Sequence, residues 1–117
     1  MKVKTAASEW IVTYPAEIMV CDTEGIILEM SNVAIHIYEK EGGAEMIGEN
    51  VFDHHAELPR RQILNVVNQR KHVIYTTEKG GMKKLVSIAP WYSEGEYAGF
   101  ALIVLDLPQN IPNIVKD

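Results

Sequence analysis

Reactive side chains crowd most closely at Asp53-His54-His55, with Glu57 two residues further on. A histidine beside carboxylates is the minimal set for general acid–base chemistry, and imidazole nitrogen also ligates transition metals and haem iron. Neighbouring side chains diverge by about 100° on a helix and about 180° on a strand, so the pair does not favour chelation of one metal. A zinc site draws on three or four Cys, His or carboxylate ligands, and no second histidine cluster accompanies this one. Several readings of His54-His55 therefore stay open: a structural or solvated pair, one histidine lining a ligand pocket, or an axial ligand to haem. A small enzyme using His54 or His55 as general base, with Asp53 or Glu57 nearby, is a further alternative. It lacks an accompanying nucleophile, metal set or oxyanion motif.

The remaining reactive residues point away from catalysis. His36 falls on the polar side of its segment, and His72 follows a helical stretch where it can interact with the last carbonyls and the negative end of the dipole. Ser31 and Ser87 lack the glycine-flanked elbow of a hydrolase nucleophile. Lys79-Gly80-Gly81 fits a hairpin turn better than a phosphate loop. Cys21 is the sole cysteine, so it forms no internal disulfide and is expected as a buried structural thiol.

The elements that must position these residues follow from periodicity and turn chemistry. Trp10, Ile11 and Tyr14 form an apolar stripe on a short helix over about 8–14, with Ser8 as N-cap and Pro15 as stop. Ile18 to Cys21 and Ile26 to Met30 flank Asp22-Thr23-Glu24-Gly25, a strand, tight turn and strand. Ser31 or Asn32 caps the next helix, in which Val33, Ala34, Ile37 and Tyr38 share one face until Gly42-Gly43 ends it. Asn32 is expected to make the cap or to brace the adjacent strand. A short helical turn around Glu45-Met46-Ile47 stops at Gly48. Pro59 then opens a longer amphipathic helix with Ile63, Leu64, Val66 and Val67 inward, running to about Lys71. Three strand-like runs follow, Val73 to Glu78, Lys83 to Tyr92 and Tyr97 to Leu107, predicting an antiparallel meander.

Composition bounds the rest. The 117 residues suffice for one domain with its own core, and 47% hydrophobic against 23% charged is an ordinary globular balance. A net charge of −5 leaves no basic surplus for nucleic acid or acidic membrane surfaces, and Arg60-Arg61 and Lys83-Lys84 are isolated pairs. The N-terminus Met1-Lys2-Val3-Lys4 lacks the apolar stretch of a signal peptide, and no apolar run reaches the roughly 18 residues of a membrane span. Cytoplasmic location is the expectation. The predicted organisation is one domain over 1–117: a flanking helix, a core at about 16–107 and an extended tail at 108–117.

Two strands, several short helices, one longer helix and three more strands is the order of the PAS fold, and particular residues strengthen the likeness. Val20 to Ile27 resembles the first PAS hairpin, and Met30-Ser31-Asn32-Val33-Ala34 resembles the Asn-x-Ala step opening the first PAS helix. Ile47-Gly48-Glu49-Asn50 resembles the Ile-Gly-Lys step before the pocket, and Asp53-His54-His55 sits where many relatives carry a pocket-side dipeptide. Pro90-Trp91-Tyr92 through Gly95-Glu96-Tyr97-Ala98-Gly99 is similar to the last PAS hairpin. The resemblance covers about 16–107. It implies an α+β fold, a five-stranded antiparallel sheet with helices over one face.

The same resemblance implies a non-catalytic sensory module in signal transduction, binding a small ligand, pairing with other proteins, or both. PAS pockets use the helices and central strands, which makes His55, Tyr75, Ser87, Trp91 and Phe100 the ligand-binding candidates. A haem-based gas or redox sensor through His54 or His55 is the alternative. PAS photosensors bond their chromophore through a cysteine in the helical half, whereas Cys21 lies on the first strand, so no covalent chromophore is expected. Output enzymes common beside such modules need well over a hundred further residues, so a separate signalling output protein is among the expected partners. Phe100, Leu102 and Val104 alternate with Ala101, Ile103 and Leu105, making both faces of the last strand apolar. The outer face therefore needs a cover, and Trp10, Ile11 and Tyr14 are predicted to supply it across a homodimer contact.

Overall fold

The structure is a computed structural model and describes residues 6–54 and 59–117. Helix α1 (Ala6–Thr13) leads into strands β1 (Glu17–Asp22) and β2 (Ile27–Met30), then helix α2 (Asn32–Ile37). Three single 3-10 turns, Glu39–Glu41, Gly43–Met46 and Val51–Asp53, carry the chain to α3 (Arg60–Gln69). Strands β3 (Val73–Lys79), β4 (Met82–Ser93) and β5 (Glu96–Leu107) complete it. The five strands form one sheet in the order β2-β1-β5-β4-β3, and every neighbouring pair is antiparallel. This is the α+β architecture that the resemblance implied.

Local chemistry explains the joints. In the first hairpin Asp22 folds its carboxylate back onto the turn, Oδ1 accepting from the amides of Glu24 at 2.8 Å and Ile26 at 3.0 Å, while Gly25 takes φ +89°. The cap of α2 is Ser31, not Asn32. Its Oγ accepts from Ala34 N at 3.2 Å and Ile18 N at 2.9 Å and donates to Ala16 O at 2.7 Å. That hydroxyl is fully buried, so one side chain caps a helix and clamps the start of β1, whereas Asn32 is exposed as the first residue of the helix. Helix α1 begins at Ala6, which puts Ser8 inside its first turn instead of at the cap. Helix α3 stops at Arg70, which adopts the left-handed conformation (φ 55°) and bonds its amide to Val66 O at 2.8 Å. Among the described residues His72 makes no hydrogen bond to the last carbonyls of α3; its Nε2 lies 2.7 Å from Ser87 Oγ.

Side-chain alternation divides the sheet into two faces. Met19 and Cys21 on β1, Val86 and Ile88 on β4, and Phe100 and Leu102 on β5 are buried together with Ala34, Tyr38, Met46, Val51, Ile63 and Val66 from the helical half. That inner face forms the core. Ile18 is buried on the opposite face, where α1 lies against neighbouring β2. The rest of that outer face is only partly covered: Ala101 and Ile103 are half-buried, Leu105 is 39% exposed and Ile74 58%.

Candidate functional site

Between the inner face and the helices, the half of the core nearest the start of β1 is hollow. A cavity of about 660 Å³ lies between Ile37 and Tyr38 at the end of α2, Pro59 and Gln62 at the start of α3, and the strands. Glu17 of β1, Leu102 and Val104 of β5, Lys84 and Val86 of β4, and Tyr75 and Thr77 of β3 form its floor. Glu78, Lys79 and Met82 of the β3–β4 hairpin stand at its rim. The register explains this convergence, because Glu17 pairs with Val104, Val104 with Val86, and Val86 with Tyr75, a single row across four strands.

Glu17 is the unusual member of that row. It is only 7% exposed, and burial pushes its carboxyl above the ordinary carboxylate range, against the opposing pull of the Tyr38 hydrogen bond and the Lys84 charge. Tyr38 Oη donates to Glu17 Oε2 at 2.7 Å, tying α2 to β1, while Oε1 has no hydrogen-bond partner among the described residues. Lys84 holds its ammonium 3.7 Å from Asp106. Tyr75 is half-buried at the cavity wall, and its hydroxyl is also pushed to higher pKa, by burial first and by the charge of Glu17 second. The cavity therefore has apolar sides, aromatic hydroxyls and one carboxylate oxygen free to accept a hydrogen bond.

Of the five ligand-binding candidates read from the sequence, Tyr75 lines this cavity. Phe100 lies on the same face but at its other, filled end, 1% exposed and 6.4 Å from the ring of Phe52. Ser87 and Trp91 alternate with the inward Val86, Ile88 and Pro90 and so belong to the outer face. Trp91 crosses its partner Gly99 and donates Nε1–H to Cys21 O at 2.9 Å. His55 and Glu57 lie outside the described residues. Sequence reasoning missed Glu17, Tyr38, Gln62 and Lys84. The findable signal was Glu17 itself, a carboxylate heading the apolar strand Ile18-Met19-Val20-Cys21 in phase with inward Met19 and Cys21.

His54 is partly buried, with Nε2 2.8 Å from Glu49 Oε1 and Nδ1 3.7 Å from Glu41 Oε1. Both ring nitrogens are engaged by carboxylates, and the residue does not line the cavity, so His54 does not fit an axial haem ligand there. Asp53 is exposed beside it. Cys21 is wholly buried and its thiol is pushed up to about 12 by desolvation, as an inert structural thiol requires. The Ser87–His72 contact is a nucleophile–base pair in outline, yet no carboxylate orients the imidazole among the described residues. Those residues contain no group of three or more His, Cys, Asp or Glu able to hold a metal ion. Among them, no helix is long and apolar enough to cross a membrane.

The N-terminal stripe does not close over the sheet. Ile11 is half-buried, but Trp10 and Tyr14 remain 50% and 45% exposed and stack edge-to-face on each other at 5.7 Å.

No protein-family model matches the sequence, and no curated protein matches it either. Solved structures do. The Aer2 receptor of Vibrio cholerae, described as a dual PAS-heme oxygen sensor, superposes with a TM-score of 0.58 at 22% identity over 80% of this chain and 95% of that one. A sensory box sensor histidine kinase from the same organism gives 0.63 at 18% identity, covering 87% and 90%. A Vibrio cholerae VqmA dimer gives 0.63 at 13% identity, covering 92% of this chain and 52% of that one. The chain has the PAS fold.

Proposed function

We propose that this PAS-fold domain is a sensory module that works by binding a small ligand in the Glu17–Tyr75 cavity and passing the event to a protein partner, without catalysing a reaction. One observation carries the reading: a cavity of ligand size on the inner face of the sheet, holding a buried carboxylate with an unused acceptor oxygen. A core that served stability alone would fill that space with side chains, because an unfilled cavity costs stability.

The residues around Glu17 supply a route outward. Glu17 follows Pro15 and Ala16 directly after α1, and the two residues flanking Glu17, Ala16 and Ile18, are both held by Ser31 Oγ. A ligand that moves Glu17 or Tyr38 therefore loads the joint between α1 and β1. With Trp10 on α1 and Tyr14 just after it exposed, and Leu105 and Ile74 exposed on the sheet, the proposed partner is a second copy, joined through α1 and the outer face. One sensory domain, with its core at about 16–107, is the unit.

Native mass spectrometry of protein purified directly from cells tests the ligand reading. A retained small molecule that is lost when Val104→Trp fills the cavity supports it; the same mass retained by the filled variant counts against it. Sedimentation tests the pairing, with a dimer expected for the parent and a monomer for Trp10→Glu. A parent that stays monomeric at high micromolar concentration refutes the homodimer.

A further inference from the structure

If the cavity is a ligand site, its chemistry narrows what it takes. Its walls are Ile37, Val86, Leu102 and Val104, with the rings of Tyr38 and Tyr75 beside them, so the body of the ligand is apolar. Its one deeply buried charged side chain is Glu17, more than nine-tenths removed from solvent. Oε2 accepts from Tyr38 Oη at 2.7 Å, Glu17 lines the cavity, and no donor is bonded to Oε1 among the described residues. Lys84, which also lines the cavity, is half-exposed and shares its charge with Asp106, 3.7 Å from its Nζ. A buried carboxylate accepts best from a charged donor, since a hydrogen bond between ions is about twice as strong as a neutral one, and aromatic faces favour the same cation.

We infer that the ligand is a small amphipathic amine, its protonated nitrogen donating to Oε1 of Glu17 and its apolar body lying against Val86, Leu102 and Val104. A ligand whose polar end is a carboxylate would instead set like charges together at Glu17.

The test uses the full chain at neutral pH and three probes that share a phenylethyl body: phenethylamine, 2-phenylethanol and 3-phenylpropionate. Binding is followed by the methyl NMR signals of Val86 and Val104. Phenethylamine is expected to bind at least about tenfold more tightly than 3-phenylpropionate. Glu17→Gln should cost the amine about tenfold while leaving 2-phenylethanol within about twofold. Should Glu17→Gln fail to fold, Tyr38→Phe serves instead, because removing the competing donor should preserve or raise the affinity for the amine. Preference for the carboxylate probe, an amine affinity unchanged in Glu17→Gln, or one lost in Tyr38→Phe overturns the amine inference. Each leaves the ligand site standing so long as those methyl signals move. If no probe moves them, the ligand reading itself fails and takes the inference with it.

Discussion

The two ends of the sheet's inner face are built from the same strands and do opposite things. At one end Phe100, Cys21, Ile27 and Val51 close solidly beneath the 3-10 turns, and the backbone is tight enough that a Cβ on Gly99 would sit 1.9 Å from Cys21 O. At the other end the same β1, β4 and β5 stand over open space, with two carboxylates, two tyrosines and two lysines around it. The contrast separates residues that hold the fold from residues free to meet a ligand. It also explains why polar groups collect at one end: a polar atom can be kept in the interior only where a partner or a space for one exists.

Substitutions should sort accordingly. The largest effect is expected at Gly99→Ala, where the added methyl meets Cys21 O at less than contact distance and φ is +147°. A loss of more than about 4 kcal/mol, or failure to fold, is the expectation in chemical denaturation. Phe100→Ala should cost about 3–5 kcal/mol for the same reason of dense packing, whereas Val104→Phe at the hollow end should stay within about 1 kcal/mol of the parent. Equal losses at the two ends would erase the distinction. Ser31→Ala should cost about 1–2 kcal/mol, since it uncaps α2 and releases Ala16 O and Ile18 N together. Asn32→Ala should melt within about 0.5 kcal/mol of the parent, as an exposed position does.

The smallest effect is a matter of sign. Glu17 has its pKa raised by folding, so the native state holds its proton more tightly than the unfolded chain does. Its contribution to stability is fully present below the ordinary carboxylate range and is lost as pH rises through the raised folded value. Tyr38, Lys84 and Asp106 set how far that window extends. Glu17→Gln, which cannot ionise, should therefore gain on the parent as pH rises from about 4 to about 7 in paired urea titrations. A difference that is flat with pH would mean that the carboxyl is not desolvated.

The strands were legible because their information is local. Asp22-Thr23-Glu24-Gly25 carries its own turn chemistry, and the alternation along β5 survives in the burial of Phe100 and Leu102 against half-buried Ala101 and Ile103. Ser31 and Asn32 were both visible as caps, but choosing between them needed Ala16 O and Ile18 N, some fifteen residues back along the chain, to be in reach. The cavity was largely hidden. Its floor is a row of residues from four strands, fixed by register, and register is decided by pairing and not by composition. Tyr75 was readable as an aromatic on a central-seeming strand; Ser87 and Trp91 were one pleat out of phase with it. Aromatic character drew attention to Trp91, whose indole instead braces the backbone over Gly99.

The most direct test of the claim that the hollow end receives the ligand is a titration of methyl-labelled protein with a small-molecule extract of the cells that produce it. Shifts concentrated at Val86, Leu102 and Val104, with Val20 and Ile103 of the outer face unmoved, are the predicted result. Shifts confined to the outer-face methyls, or a spectrum with no change at the hollow end, would contradict it.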